Sequence, residues 1–221
     1  MNHNPEPGTG NPEPRRRKRP LRVALTGGIA TGKSYVRARL EALGVPASDA
    51  DAMARAAVAP GTPGLEEVVR TFGRGILDPS GAIDRKRLAA IVFADPAKRL
   101  ALEAIVHPAV RRATDGWFAA LPADTPFAVS DIPLLYETGR ERDFDAVVVV
   151  AARPETQVRR VLERDHLTEA EARQRLAAQL PIDEKARRAD YVIRTEDSFG
   201  ETDRQVREVF DALHARANAA G

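Results

Sequence analysis

The run Gly27-Gly28-Ile29-Ala30-Thr31-Gly32-Lys33-Ser34 fits the pattern G-x-x-x-x-G-K-[ST]. The chemistry follows from the residue types. Glycines let the backbone turn tightly and aim successive N–H groups at a phosphate, Lys33 adds a point charge, and Ser34 adds a hydroxyl suited to Mg²⁺. The candidate nucleotide contacts are therefore Gly28, Ile29, Ala30, Thr31, Gly32, Lys33, Ser34 and, through its N–H, Tyr35. Such a loop works only between a strand and a helix, and both are expected here. Val23 to Thr26 is short and apolar, and Lys33 to about Leu43 places Val36, Leu40 and Leu43 on one helical face, so that the helix N-terminus meets the anion.

A loop of this kind binds a triphosphate without saying what is done with it. A regulatory GTPase would need an Asn-Lys-x-Asp segment, which the sequence lacks, and a motor ATPase would need further modules. A small kinase remains, and that chemistry asks for a carboxylate to orient the acceptor hydroxyl and for arginines to neutralise the transferring phosphoryl. Asp51 follows the expected second strand, Val45 to Ser48, at the end where ligands gather in open α/β sheets. It suits either a helix N-cap or an acceptor-facing base. Asp131 closes the expected strand Phe127 to Asp131 and suits either a Mg²⁺-organising carboxylate or a turn cap. Arg160 and Arg164, four apart, share one helix face and suit either a lid over the triphosphate or a solvated basic surface.

The elements that must position these residues alternate. Helices are expected over Asp51 to Val58, Leu65 to Phe72 and Asp84 to Phe93, with Asp84 as N-cap. Asp95-Pro96 opens a helix to about Val106, and another follows His107-Pro108 toward Leu121. Four consecutive valines mark Asp145 to Ala151 as a buried parallel strand. Pro154 starts a helix to about Arg164, Thr168-x-x-Glu171 has the form of a capping box, Tyr191 to Arg194 is a last strand, and Thr202 to about Ala217 a last helix. The pattern predicts an α/β protein with a parallel sheet, interrupted by a strand-free helical subdomain. The division is a core over about 21–63 and 122–221, a helical subdomain over about 64–121, and a lid over about 154–181.

Composition excludes several classes. With no cysteine there is neither disulfide nor thiolate chemistry, which fits a reducing cytoplasm. A net charge of +2 implies no general field for nucleic acid. No run of about 18 apolar residues, the length that spans a bilayer, occurs in the sequence. Residues 1–20 hold five prolines and the cluster Arg15-Arg16-Arg17-Lys18-Arg19 without apolar periodicity, and read as a disordered basic extension.

Taken together, the residues resemble the dephospho-CoA kinase family. The resemblance runs from Val23 to Phe210 and rests on Leu25 to Ser34, on Asp49-Ala50-Asp51 with Ala54-Arg55, and on His107-Pro108. It continues through Asp131-Ile132-Pro133-Leu134-Leu135-Tyr136-Glu137, Gln157 to Asp165 and Gln179. It implies a three-layer P-loop kinase fold with a parallel five-stranded sheet, a helical acceptor-side subdomain and a lid. The reaction it implies is ATP-dependent phosphorylation of the ribose 3′-hydroxyl of dephospho-CoA, giving CoA and ADP, with Mg²⁺. Carried over residue by residue, Asp51, Lys33 and Arg164 are catalytic and Arg160 a second lid arginine. Ser34 and Asp131 hold the metal, and Arg55 and His107 lie on the acceptor side, His107 being equally suited to a packed structural role. The chain departs from the family pattern at Tyr35, where many members carry Thr or Ser, and at Arg194-Thr195-Glu196, where an Asn-containing turn is expected.

Overall fold

The computed structural model describes residues 19–219. Five strands form one sheet: β1 (Leu21–Gly27), β2 (Ala47–Asp49), β3 (Phe127–Asp131), β4 (Ala146–Ala151) and β5 (Tyr191–Arg194). All adjacent pairs are parallel, and the spatial order is β2-β3-β1-β4-β5. The chain leaves β1 toward α1 (Lys33–Ala42) on one face, and β1 is flanked by β3 and β4. That central position is a switch point, where connections diverge and a crevice opens beyond the strand ends.

The two faces are sorted by the period of two. Val23 and Leu25 of β1, with Val148 and Val150 of β4, face α1 and α9 (Phe199–Ala219), burying Val36, Leu40, Val206, Val209 and Leu213. Ala24 of β1, with Val147 and Val149 of β4, faces the opposite layer. That layer contains α2 (Ala50–Ala57), α5 (Pro96–Ala119) and α8 (Ile182–Arg187). Because both faces are covered, every residue of β3 and β4 is buried, as the near-continuous apolar runs require.

A separate small core lies between α3 (Pro63–Phe72), α4 (Arg85–Ala94) and the first half of α5, where Val68, Ile76 and Leu88 pack with Phe72, Ile91, Leu102 and Ile105. Between the strands β4 and β5 come α6 (Pro154–Asp165) and α7 (Glu169–Ala177), joined by their own cluster of Val158, Val161 and Ala172. The expected capping box is present: Thr168 accepts from the Glu171 N–H, and Glu171 accepts from the Thr168 N–H.

Two expectations need correction. Helix α5 runs through His107-Pro108 without a break. Proline inside a helix removes one hydrogen bond, at about 3 kcal/mol. Here Val106 and Val110 on either side are anchored in the sheet-facing core, which holds the helix together across the gap. Strand β2 ends at Asp49, not before it, and α2 begins at Ala50. Helix α8 has no counterpart in the sequence reading; at six residues it is too short for its Ile182/Ala186 spacing to register as periodic. The basic extension expected over 1–20 lies outside the described residues except for Arg19 and Pro20, and Arg19 makes paired hydrogen bonds of 2.8 and 2.7 Å to Asp145.

Candidate active site

The loop between β1 and α1 wraps one wall of a cleft of about 890 Å³. Local stereochemistry explains its shape. Gly32 (φ 81°) and Ala30 (φ 56°) both occupy the left-handed region, which turns the chain twice within three residues. The Thr31 hydroxyl donates to the Gly28 carbonyl at 3.0 Å, closing the turn. Gly27 admits no side chain, since a Cβ would stand 2.6 Å from the Val150 carbonyl oxygen. Every expected nucleotide contact from Gly28 to Tyr35 lines this cleft, with Arg160 opposite.

Arg160 and Arg164 both reach the cleft, and Arg159, which the sequence reading passed over, joins them. Their engagements differ. Arg160 donates to the Ala30 carbonyl (3.2 Å), the Thr195 hydroxyl (3.0 Å) and the Thr195 carbonyl, so it braces the loop against the end of β5. Arg164 is 61% exposed at its side chain and is paired with the adjacent Asp165 at 2.7 Å. Thr195 donates in turn to the Thr31 carbonyl at 2.7 Å. The turn that departs from the family pattern is therefore part of the site: Thr195, Glu196, Asp197, Ser198 and Phe199 all line the cleft. Tyr35 donates through its hydroxyl to Asp203 at 2.8 Å, and its ring lies 4.9 Å from that of Phe199.

Lys33 is bonded to Asp131, whose side chain is only 8% exposed. Burial pushes the Asp131 carboxyl up from its ordinary range, against the opposing pull of Lys33 and Arg37. Asp49 is the register partner of Asp131 on the neighbouring strand, and Arg37 stands 3.4 Å from Asp49 and 3.9 Å from Asp131. The Asp49 side chain accepts from the N–H groups of Asp51 and Ala52 at 2.8 and 3.0 Å, which makes it the N-cap of α2. Burial opposes ionisation of Asp49, but these donors together with Arg37 and Arg55 hold its carboxyl below the usual range.

That assignment takes the N-cap role away from Asp51. The cap belongs to Asp49, and Asp51 is exposed in the first turn of α2 with its carboxylate free of that duty. Asp51, Arg55 and His107 do not line the cleft around the loop; Asp51 and Arg55 lie exposed on α2, which follows directly from the end of β2, and His107 lies exposed on α5. The two helices pack together through Met53 and Thr114.

Two residues quoted for the family resemblance but given no role there are placed by the structure. Gln179 accepts from the Ile29 N–H at 3.2 Å, and Gln157 donates to the Ala152 carbonyl at 2.8 Å while its other side-chain atom stands against Gly28. Lys185, which no sequence argument singled out, is buried beneath the loop. A single charged residue in a helix too short to show a period carries no signal of its own.

A phosphate loop at the switch point of a five-stranded parallel sheet, faced by arginines from the helix after β4, is the build of a P-loop kinase. A family model described as dephospho-CoA kinase matches residues 21–201. The dephospho-CoA kinase of Anaeromyxobacter dehalogenans is 59% identical over 172 residues, covering 77% of this chain and 82% of its own. That of Shouchella clausii is 46% identical over 200 residues, 90% of this chain and all of its own. Among solved structures, the dephospho-CoA kinase from Campylobacter jejuni superposes with a TM-score of 0.69 at 27% identity, covering 88% of this chain and 97% of its own. The chain belongs to the dephospho-CoA kinase family.

Proposed function

We propose that this protein transfers the γ-phosphoryl group of ATP to the ribose 3′-hydroxyl of dephospho-CoA, giving CoA and ADP, the last step of coenzyme A biosynthesis. The observation that carries the reading is family membership over residues 21–201, joined to a phosphate loop that opens on a nucleotide-sized cleft. The donor occupies that cleft: loop amides and Lys33 take the phosphates, and Arg160 and Arg164 approach from α6. The purine ring lies toward the β5–α9 turn, where Tyr35 and Phe199 offer an aromatic wall.

The acceptor comes from the side of α2 and α5. Asp51 orients the ribose hydroxyl and takes its proton as the oxygen–phosphorus bond forms and the bond to the ADP leaving oxygen breaks. In a loose transition state this proton moves late, so the carboxylate acts chiefly by placement. Arg55 and His107 would meet the acceptor's phosphates. The helical region over about 64–121 would then be the acceptor-side subdomain and 154–181 the lid, whose approach excludes water and limits ATP hydrolysis.

Mg²⁺ fits the oxygen donors present. Among the described residues no group of three or more His, Cys, Asp or Glu could hold a metal, so a protein-only cage is not available. Ser34 and Asp131 provide one hydroxyl and one carboxylate, the sparse set that suits an ion shared with nucleotide phosphates. When bound, Mg²⁺ would offset phosphate charge. Lys33 and Asp131 would each leave the other as nucleotide enters. A cytoplasmic setting is supported by the lack of cysteine; among the described residues no helix is long and apolar enough to cross a membrane.

The test is ATP consumption with dephospho-CoA, pantetheine compounds and nucleoside monophosphates as acceptors. Turnover with dephospho-CoA, lost in Lys33→Ala, is expected. Phosphorylation of a nucleoside monophosphate in its place would overturn the assignment.

A further inference from the structure

Among the described residues Lys185 is the largest fully buried side chain, at 0% exposure. Its ammonium donates to the Gly27 carbonyl at 3.1 Å and the Pro133 carbonyl at 3.3 Å, and it pairs with Glu137 at 2.8 Å. Two of the ammonium's three donors go to these carbonyls, and the Glu137 carboxylate balances its charge. Burying such a charge is expensive unless it is paired, and a buried pair is often no more stabilising than apolar residues of the same volume. Stability alone is a weak reason for a lysine here.

Its partners suggest another. Gly27 is the last residue of β1 and the first of the phosphate loop; Pro133 lies two residues beyond Asp131. These two segments carry Lys33 and Asp131, whose separation sets where phosphate and metal can sit. The Pro133 carbonyl also accepts from Thr26 at 3.3 Å, and Glu137 accepts from the Leu180 N–H at 2.9 Å. With Gln179 on the Ile29 N–H, the segment 179–185 grips the phosphate loop from below at two points.

We propose that Lys185 is a positioning residue for ATP: its ammonium fixes the spacing between the phosphate loop and the segment after β3, and so the affinity for the nucleotide. It touches no substrate, being wholly enclosed. The inference rests on the reading of the cleft as the ATP site and not on the identity of the acceptor.

The test compares wild type, Lys185→Met, and the double variant Lys185→Met/Glu137→Met. The single variant leaves the Glu137 carboxylate unpaired and should be destabilised; the double variant removes both charges and should regain most of that stability. Calorimetric titration with Mg·ATP, without acceptor, should nevertheless show roughly 10–100-fold weaker binding for both, up to about the 10²-fold that a 1 Å misplacement can cost. In turnover with dephospho-CoA, KM for ATP should rise while KM for the acceptor stays. ATP affinity restored along with stability in the double variant would overturn the proposal. So would failure of both variants to fold, because the charge would then serve the core and not the loop. Since the titration needs no acceptor, it reads this inference apart from the dephospho-CoA assignment.

Discussion

Lys33 and Asp131, 98 residues apart in sequence, are each other's counterion at the floor of the site. The pair holds both charges in place before any nucleotide arrives. Removing Lys33 leaves Asp131 only its longer ion pair with Arg37, at 3.9 Å. Lys33→Met should therefore destabilise the fold at neutral pH by up to about 3 kcal/mol, the cost of a broken buried pair less what Arg37 still offsets, besides abolishing transfer. The sign of its pH dependence is fixed by burial. The Asp131 carboxyl, already raised, rises further without Lys33, so its destabilising charge is lost as pH falls through the folded pKa. Urea unfolding followed from about pH 7 downward should show the deficit shrinking toward acid; a deficit constant down to the ordinary carboxylate range would contradict the pairing.

Asp49 and Asp51 stand two residues apart and should fail in opposite ways. Asp49→Ala removes the N-cap of α2 and should cost about 1 kcal/mol of stability. Its carboxyl is lowered in the fold, so the wild-type contribution is present above the ordinary carboxylate value and fades as pH drops below it. Asp51→Asn should leave stability within about 0.5 kcal/mol, as for an exposed side chain, yet cut turnover by about 10²–10⁴-fold, the usual weight of a positioned acid–base group. Parallel unfolding and kinetic assays decide between them. Wild-type turnover in Asp51→Asn would remove it from the mechanism.

The first two glycines of the loop are not equivalent. A Cβ on Gly27 would meet the Val150 carbonyl at 2.6 Å, a backbone atom inside the sheet. One on Gly28 would meet the Gln157 side-chain oxygen at the same distance, and a side chain can rotate away. Gly27→Ala should lower stability by roughly 1–3 kcal/mol through overpacking, with weaker ATP binding. Gly28→Ala should be milder in thermal unfolding. Equal losses would mean that Gln157 is as immovable as the strand.

If the purine rests on Tyr35 and Phe199, then Phe199→Ala should raise KM for ATP about tenfold, in line with the roughly 1–3 kcal/mol of a base–aromatic stack. The acceptor KM should not follow. Phe199 is 73% exposed, so the change should leave unfolding unaltered; an unaltered ATP KM would place the base elsewhere.

Much of this was legible because the signals were local. The loop motif, the valine run of β4, the capping box at Thr168 and the caps Asp84 and Asp95 each depend on residues within a few positions. What stayed hidden depends on distance. Nothing near Lys185 announces Gly27, and nothing near Arg160 announces Thr195, because those contacts exist only once the sheet is assembled. Asp49 hid behind Asp51, since a β2 of three residues leaves its end uncertain by the two positions that separate them. Pro108 misled for the opposite reason: the local rule was right about the lost bond and silent about the packing that absorbs it.

Helix α5 carries a thermodynamic consequence. Leu102 and Ile105 belong to the small helical core, Val106 and Val110 to the core against the sheet, and one unbroken helix holds all four. Neither hydrophobic unit can melt without unravelling a shared backbone. Heating should give a single endotherm whose van't Hoff and calorimetric enthalpies agree. The small helical core and the sheet would then live and die as one cooperative unit.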